Sequence, residues 1–186
     1  MPVARHAAAT APIPGGARQC RGGVAGLEIR RSPLVYLRPA RPSDGPALLR
    51  MHERCSPATR YSRWLAPSSI FPRVYLRAAL AGGDEHIAIV AVRGGRPAIV
   101  IGLASAALTS EGQRELGLLV EDHYQGQGIG RRMLDSLVDL IGPDEDLCVS
   151  ALGENHWLLG KLSRFGTVEA HLDNGIIDAR VIRAPR

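Results

Sequence analysis

The sequence predicts an α/β domain with a mixed, mostly antiparallel central sheet, helices on both faces and one parallel strand–helix–strand crossover. Three observations carry that expectation. Apolar runs at 86–92 and 98–107 flank Arg93-Gly94-Gly95-Arg96, a hairpin signal because glycine tolerates positive φ. The segments 167–172 and 176–182 flank Asp173-Asn174-Gly175, and Asn-Gly between alternating apolar residues marks a second hairpin. Between the hairpins, apolar strands at 114–120 and 147–151 bracket a helical pattern. There Ile129, Met133, Leu134, Leu137, Val138 and Ile141 share one face, while Arg131, Arg132, Asp135 and Asp139 share the other.

The remaining elements follow in order. Residues 34–38 read as a short strand closed by Pro39. Ser43 or Asp44 supplies an N-cap for a helix carrying Ala47, Leu48, Met51 and His52, without a capping-box glutamate. Helical stretches at 60–65 and 72–81 come next, and Gly82-Gly83 ends the second. Gly142-Pro143 stops the crossover helix, and the last helix is expected over 155–165 with Gly166 as its C′ glycine.

Composition limits the function classes. With 186 residues and 45% hydrophobic content, the chain suits one domain with a sizeable core, placed at 34–186. No apolar run approaches the about eighteen residues of a membrane span. Residues 1–33 carry Arg5, Arg18, Arg21, Arg30 and Arg31 against Glu28, so +4 of the +5 net charge sits there and +1 remains for the rest. A nearly neutral domain argues against nucleic acid as partner. The first 33 residues, rich in Ala, Gly and Pro without periodicity or a compact apolar stretch, read as a disordered basic tail rather than a secretory signal. Cys20, Cys55 and Cys148 are too scattered for a disulfide framework or a structural zinc site, which fits a cytoplasmic location. His52, His86, His156 and His171 have no metal-ligand spacing, so no metal is expected.

The most informative stretch runs from Leu118-Leu119-Val120 through a short polar turn to Gln125-Gly126-Gln127-Gly128-Ile129-Gly130-Arg131, where the helix opens. Glycines at a strand-to-helix turn let backbone N–H groups approach a phosphate, and the helix N-terminus adds partial positive charge. The glycines alternate as G-x-G-x-G rather than the dinucleotide-binding G-x-G-x-x-G, and Arg131-Arg132 stand where a P-loop would have Lys and Ser or Thr.

Gln125-x-x-Gly128-x-Gly130, in this succession of elements, resembles the signature of the GNAT superfamily of acyl-CoA-dependent N-acyltransferases. The resemblance covers 34 to about 183 and implies a GNAT-like sheet. It implies acetyl-CoA as acyl donor, with Gln125, Gly126, Gln127, Gly128, Ile129, Gly130 and Arg131 around its pyrophosphate. Leu118, Leu119 and Val120 would pair with pantetheine as if it were a further strand, and a backbone N–H near Val120 would polarise the thioester. Asn155 matches the asparagine that opens the family's last helix, beside pantetheine; as a plain residue it would be an N-cap.

Acyl transfer to an amine needs the neutral base, yet a lysine ammonium has a pKa near ~10.4, so a general base is useful. Glu115, at the start of the glycine-loop strand, is the candidate. Its place ten residues before Gln125 also resembles that of the catalytic glutamate in bacterial Pat-type protein lysine acetyltransferases. Leu37-Arg38-Pro39 and Ser56-Pro57-Ala58-Thr59-Arg60-Tyr61-Ser62-Arg63-Trp64 are similar to segments of the same group. From this segment Tyr61, Arg63 and Trp64 are candidates for the acceptor groove. The tyrosine with which many GNAT enzymes protonate the leaving thiolate is replaced by Leu162. Cys148 has no activating neighbour in sequence, so an acyl-enzyme route is rejected. The expectation is direct acetyl transfer from acetyl-CoA to a primary amine, a protein lysine among the acceptors. The alternative is a non-catalytic acyl-CoA-binding module that regulates a partner. The final hairpin offers edges for a homodimer, although a monomer satisfies the sequence equally.

Overall fold

The computed structural model describes residues 34–183, so the readings of the basic tail and of Cys20 lie outside the described residues. Seven strands form one sheet in the order β1-β2-β3-β4-β5-β7-β6. These are β1 (Val35–Pro39), β2 (His86–Arg93), β3 (Ile99–Leu108), β4 (Arg114–Val120), β5 (Leu147–Leu152), β6 (Thr167–Asp173) and β7 (Ile176–Ile182). Every pairing is antiparallel except β4 with β5, as the crossover pattern requires.

Helices α1 (Gly45–Arg54), α2 (Pro57–Trp64) and α3 (Arg73–Ala81) precede β2, α4 (Ile129–Leu140) joins β4 to β5, and α5 (Trp157–Leu162) precedes β6. Two apolar clusters divide along the two sheet faces, because alternate strand residues point to opposite sides. Ala88, Val90, Leu103 and Leu119 pack with Leu48, Met51, Phe71 and Leu76 of the α1–α3 layer. Ile89, Ala91, Ile101, Ala104, Leu116 and Val120 pack with Ile129, Met133, Leu134 and Leu137 of α4. All six apolar residues assigned to the α4 face are buried.

Several local readings change. Asp44 precedes α1 but does not cap it: its carboxylate takes two 2.7 Å hydrogen bonds from Arg38 and one of 2.8 Å from the Arg41 backbone. The Arg38 guanidinium thereby holds the Asp44 carboxyl below its usual range. Helix α2 starts at Pro57, not 60, because Ser56 caps it through the Thr59 N–H and Pro57 fits the first turn, where its missing N–H costs nothing. The last helix is shorter than expected, since Gly153–Asn155 form a 3-10 turn before it and the α-helix itself ends at Leu162, with Ser163 as its C-cap. Gly166 is not a left-handed cap; a Cβ there would run into the Ile182 carbonyl of β7. The Asn174-Gly175 turn is as expected, with φ of 48° and 79°.

Met133, fully buried, lies under β3 with its sulfur 2.9 Å from where a Gly102 Cβ would stand. Met133→Ala should cost about 2–5 kcal/mol through the cavity it leaves; urea unfolding followed by circular dichroism reads this as a lower midpoint.

Candidate functional site

Parallel strands β4 and β5 pair only at Arg114↔Leu147 and Glu115↔Cys148. Beyond that rung they diverge, and a cavity of about 480 Å³ fills the fork. Residues 116–120 of β4 and 149–151 of β5 form its walls, the start of α4 with Gln125 and Gly126 its head, and α5 and α2 its sides. Strand β4 is paired with β3 along its full length, so its β5-facing edge is what the fork leaves without a strand partner.

Each expected cofactor residue has a definite place. Leu118, Leu119 and Val120 line the cavity, with Leu119 and Val120 buried. Leu118 and Val120 point to the α4 side, where a Cβ on Gly130 would stand 3.2 Å from Leu118 Cδ2. Gly126 and Gly128 have φ of 71° and 76°, conformations that side chains rarely adopt, and a Cβ on either would meet no protein atom within 4 Å. The backbone N–H groups of Gly126, Gln127 and Gly128 have no backbone carbonyl partner among the described residues, and the first N–H groups of α4 follow them. An open concavity of free donors at a helix N-terminus fits a pyrophosphate.

Other side chains of the motif are structural. Ile129 is buried in the α4 core, Gln127 donates to the His123 carbonyl at 2.9 Å, and Arg131 points to solvent near Asp135. Gln125 donates to Val120 O at 2.9 Å and to Thr59 Oγ1 at 3.1 Å, so its amide braces the turn. Asn155 sits in the 3-10 turn, not at a helix N-cap. It lines the cavity, donates to Ser62 Oγ at 3.0 Å and accepts from Trp157 Nε1 at 3.2 Å.

Glu115 is exposed and does not line the cavity; it stands at the rung where the fork closes, on the α1–α3 side of the sheet. Val120 lies five residues further along, about 17 Å in a strand. Glu115 and the Val120 N–H therefore stand at opposite ends of β4. Cys148, beside Glu115, is half-buried; burial and then the Glu115 charge push its thiol up to about 11, which makes thiolate scarce at neutral pH.

Of the acceptor-groove candidates, only Arg63 reaches the cavity. Tyr61 points outward, and Trp64 belongs to an aromatic cluster with Phe71 and Tyr75, its Nε1 donating to His52 at 3.1 Å. Burial, then the Arg60 charge, lowers the pKa of His52 and favours its neutral, accepting form. Thr59 and Ser62 were not singled out from the sequence. The Ser56-Pro57 start of α2 places Thr59, Ser62 and Arg63 on one helical face, so that pair carried a usable signal. No group of three metal-ligating side chains occurs among the described residues.

Residues 47–144 match the acetyltransferase (GNAT) family, and the chain belongs to that family. Its fold is that of the GNAT domain of Streptomyces lividans PAT, at 18% identity and TM-score 0.65, over 78% of this chain and 89% of that one. A GCN5-related N-acetyltransferase from Kribbella flavida aligns at 16% identity and TM-score 0.59, over 81% and 98%. The ribosomal-protein-S18-alanine N-acetyltransferase of Escherichia coli aligns at 17% and 0.56, over 82% and 97%. Comparison with curated protein sequences gave no match.

Asp122 joins the two sides of the site. Its carboxylate accepts from Ser56 Oγ at 2.6 Å, Ser56 N at 2.8 Å and Thr59 Oγ1 at 2.8 Å, which ties the α2 start to the turn before the glycine loop. Partial burial opposes its ionisation, but these bonds outweigh that and hold its pKa below 3.8. A depressed folded-state pKa gives stabilisation that is complete above the unfolded value and lost as pH falls through the folded one. Asp122→Asn should therefore cost about 1 kcal/mol at neutral pH, discounted for exposure. In urea titrations the gap from the parent protein should close as pH drops below about 4.

Proposed function

We propose that this protein transfers an acetyl group from acetyl-CoA to a primary amine, with Glu115 as general base. The observation that carries the reading is the fork between β4 and β5, headed by a loop of free backbone N–H groups and closed at Glu115. Gly126, Gly128 and the α4 N-terminus would receive the pyrophosphate, and residues 116–120 the pantetheine arm. Bound there, acetyl-CoA supplies a thioester, an acyl group on a good leaving thiolate.

The acceptor approaches from the α2 side, where Glu115 takes the amine proton directly or through a water. The neutral amine nitrogen then bonds to the carbonyl carbon, the C–S bond breaks, the nitrogen gives up its second proton to solvent, and the thiolate leaves and is protonated by solvent. Holding both reactants across one fork is what makes the attack effectively unimolecular. The resemblance of Glu115 and of the Ser56–Trp64 segment to Pat-type protein lysine acetyltransferases supports a lysine side chain as one acceptor to test, beside free amino acids and polyamines.

Glu115→Gln should lower kcat by roughly 10²–10⁴-fold, measured as thiol release, while the acetyl-CoA Kd from calorimetry stays within about twofold. Gly128→Val should do the reverse, raising the Kd by roughly tenfold or more as the side chain fills the phosphate space at an unfavourable φ. Tight acetyl-CoA binding with no thiol release on any acceptor would instead identify a non-catalytic acyl-CoA-binding module.

A further inference from the structure

We infer that Arg63 is a carboxylate-binding residue and that the acceptor is a small amino acid, its amine only a few bonds from a free carboxylate. The inference rests on the acetyltransferase reading above. Arg63 projects from α2 onto the sheet face that carries Glu115, and its guanidinium occupies the place a Gly117 side chain would take, with Cζ 2.6 Å from that Cβ position. It lies over the rings of Trp64 and Tyr75, at 4.4 and 4.9 Å from their centres. Tyr75 is anchored in turn by a hydrogen bond between its hydroxyl and the buried Ser105. The planar cation is thus held rigidly by stacking, not by an acid.

Among the described residues Arg63 makes no hydrogen bond or ion pair, yet it lines the cavity. Helix α2 carries no acidic residue, so no carboxylate of its own helix pairs with Arg63. A guanidinium with a free fork matches a carboxylate in two parallel hydrogen bonds. Its position also selects among anions: it stands out of the sheet plane, at side-chain height, whereas a cofactor pairing as a strand would lie in that plane. The group it meets belongs to the acceptor.

Glu115 and Gly117 are two residues apart on the same face, about 7 Å along the strand. A hydrogen bond of about 2.8 Å at each end takes up most of that spacing, so only an acceptor with amine and carboxylate on neighbouring atoms spans it. A lysine within a protein has no carboxylate of its own at that distance.

The test is calorimetric binding in the presence of CoA, with glycine, β-alanine and L-lysine as probes, each beside its primary amide, and with an Nα-acetyl-lysine amide. At least one free acid should bind roughly 10- to 100-fold tighter than its amide. Arg63→Ala should bring that ratio to near one, and Arg63→Lys, which keeps the charge and the packing stem, should restore part of it. Circular dichroism establishes that the variants are folded. Equal binding of acids and amides by the parent protein overturns the inference. So does an unchanged ratio in folded Arg63→Ala, or turnover of the lysine amide as fast as the best free acid. Arg63→Ala lowering kcat equally for every acceptor, with KM unmoved, also overturns it, because that is the behaviour of a group acting on the thioester. Selective binding of acids without thiol release would sink the acetyltransferase reading and leave the carboxylate site standing.

Discussion

The decisive constraint is that β4 and β5 pair over two rungs and then part. A parallel pair that continued would satisfy its own backbone and leave no cavity. Because it stops at Glu115 and Cys148, each strand presents unpaired backbone to a common space, and an unpaired buried edge is costly unless something completes it. The glycine loop, α2 and α5 are arranged around that opening, and the crossover helix α4 aims its N-terminus at the wide end. The closed end holds Glu115, the carboxylate proposed above to take a proton from the amine. In the proposed reading the cofactor lies in the plane of the sheet beside β4 and the acceptor above it.

The architecture was legible because each element had a local cause. Period-two runs, a glycine-rich and an Asn-Gly turn, and a 3.6-residue stripe on α4 all favour one arrangement, and such agreement across levels is what makes a chain readable. Two of the departures have a different character. Asp44 resembles a helix cap, but Arg38 on β1 competes for its carboxylate. Gly166 resembles a left-handed terminus, but its small size serves the approach of β7. In both cases a partner distant in sequence overrides local propensity.

The site divides the same way. Gly126 and Gly128 could be placed from spacing alone, since positive φ at a strand-to-helix turn is a local requirement. The bracing of Val120 and Thr59 by Gln125, and the aromatic bed under Arg63, depend on how α2 and α3 lie across β3 and β4. Gly117 shows the limit most clearly: in sequence it is a weak spot in a strand, in three dimensions it is the berth of another residue's guanidinium.

Asp122 adds a thermodynamic property to this geometry. One carboxylate bonds the first turn of the helix that carries Arg63 and also lies in the turn leading into the glycine loop. Two ligands that each steady one of these segments would share the cost of ordering the junction. Such sharing is reciprocal: the factor by which the acyl donor tightens the acceptor is the factor by which the acceptor tightens the donor. A ternary complex formed as proposed would then be favoured over either binary one by hydrogen bonds that touch neither substrate.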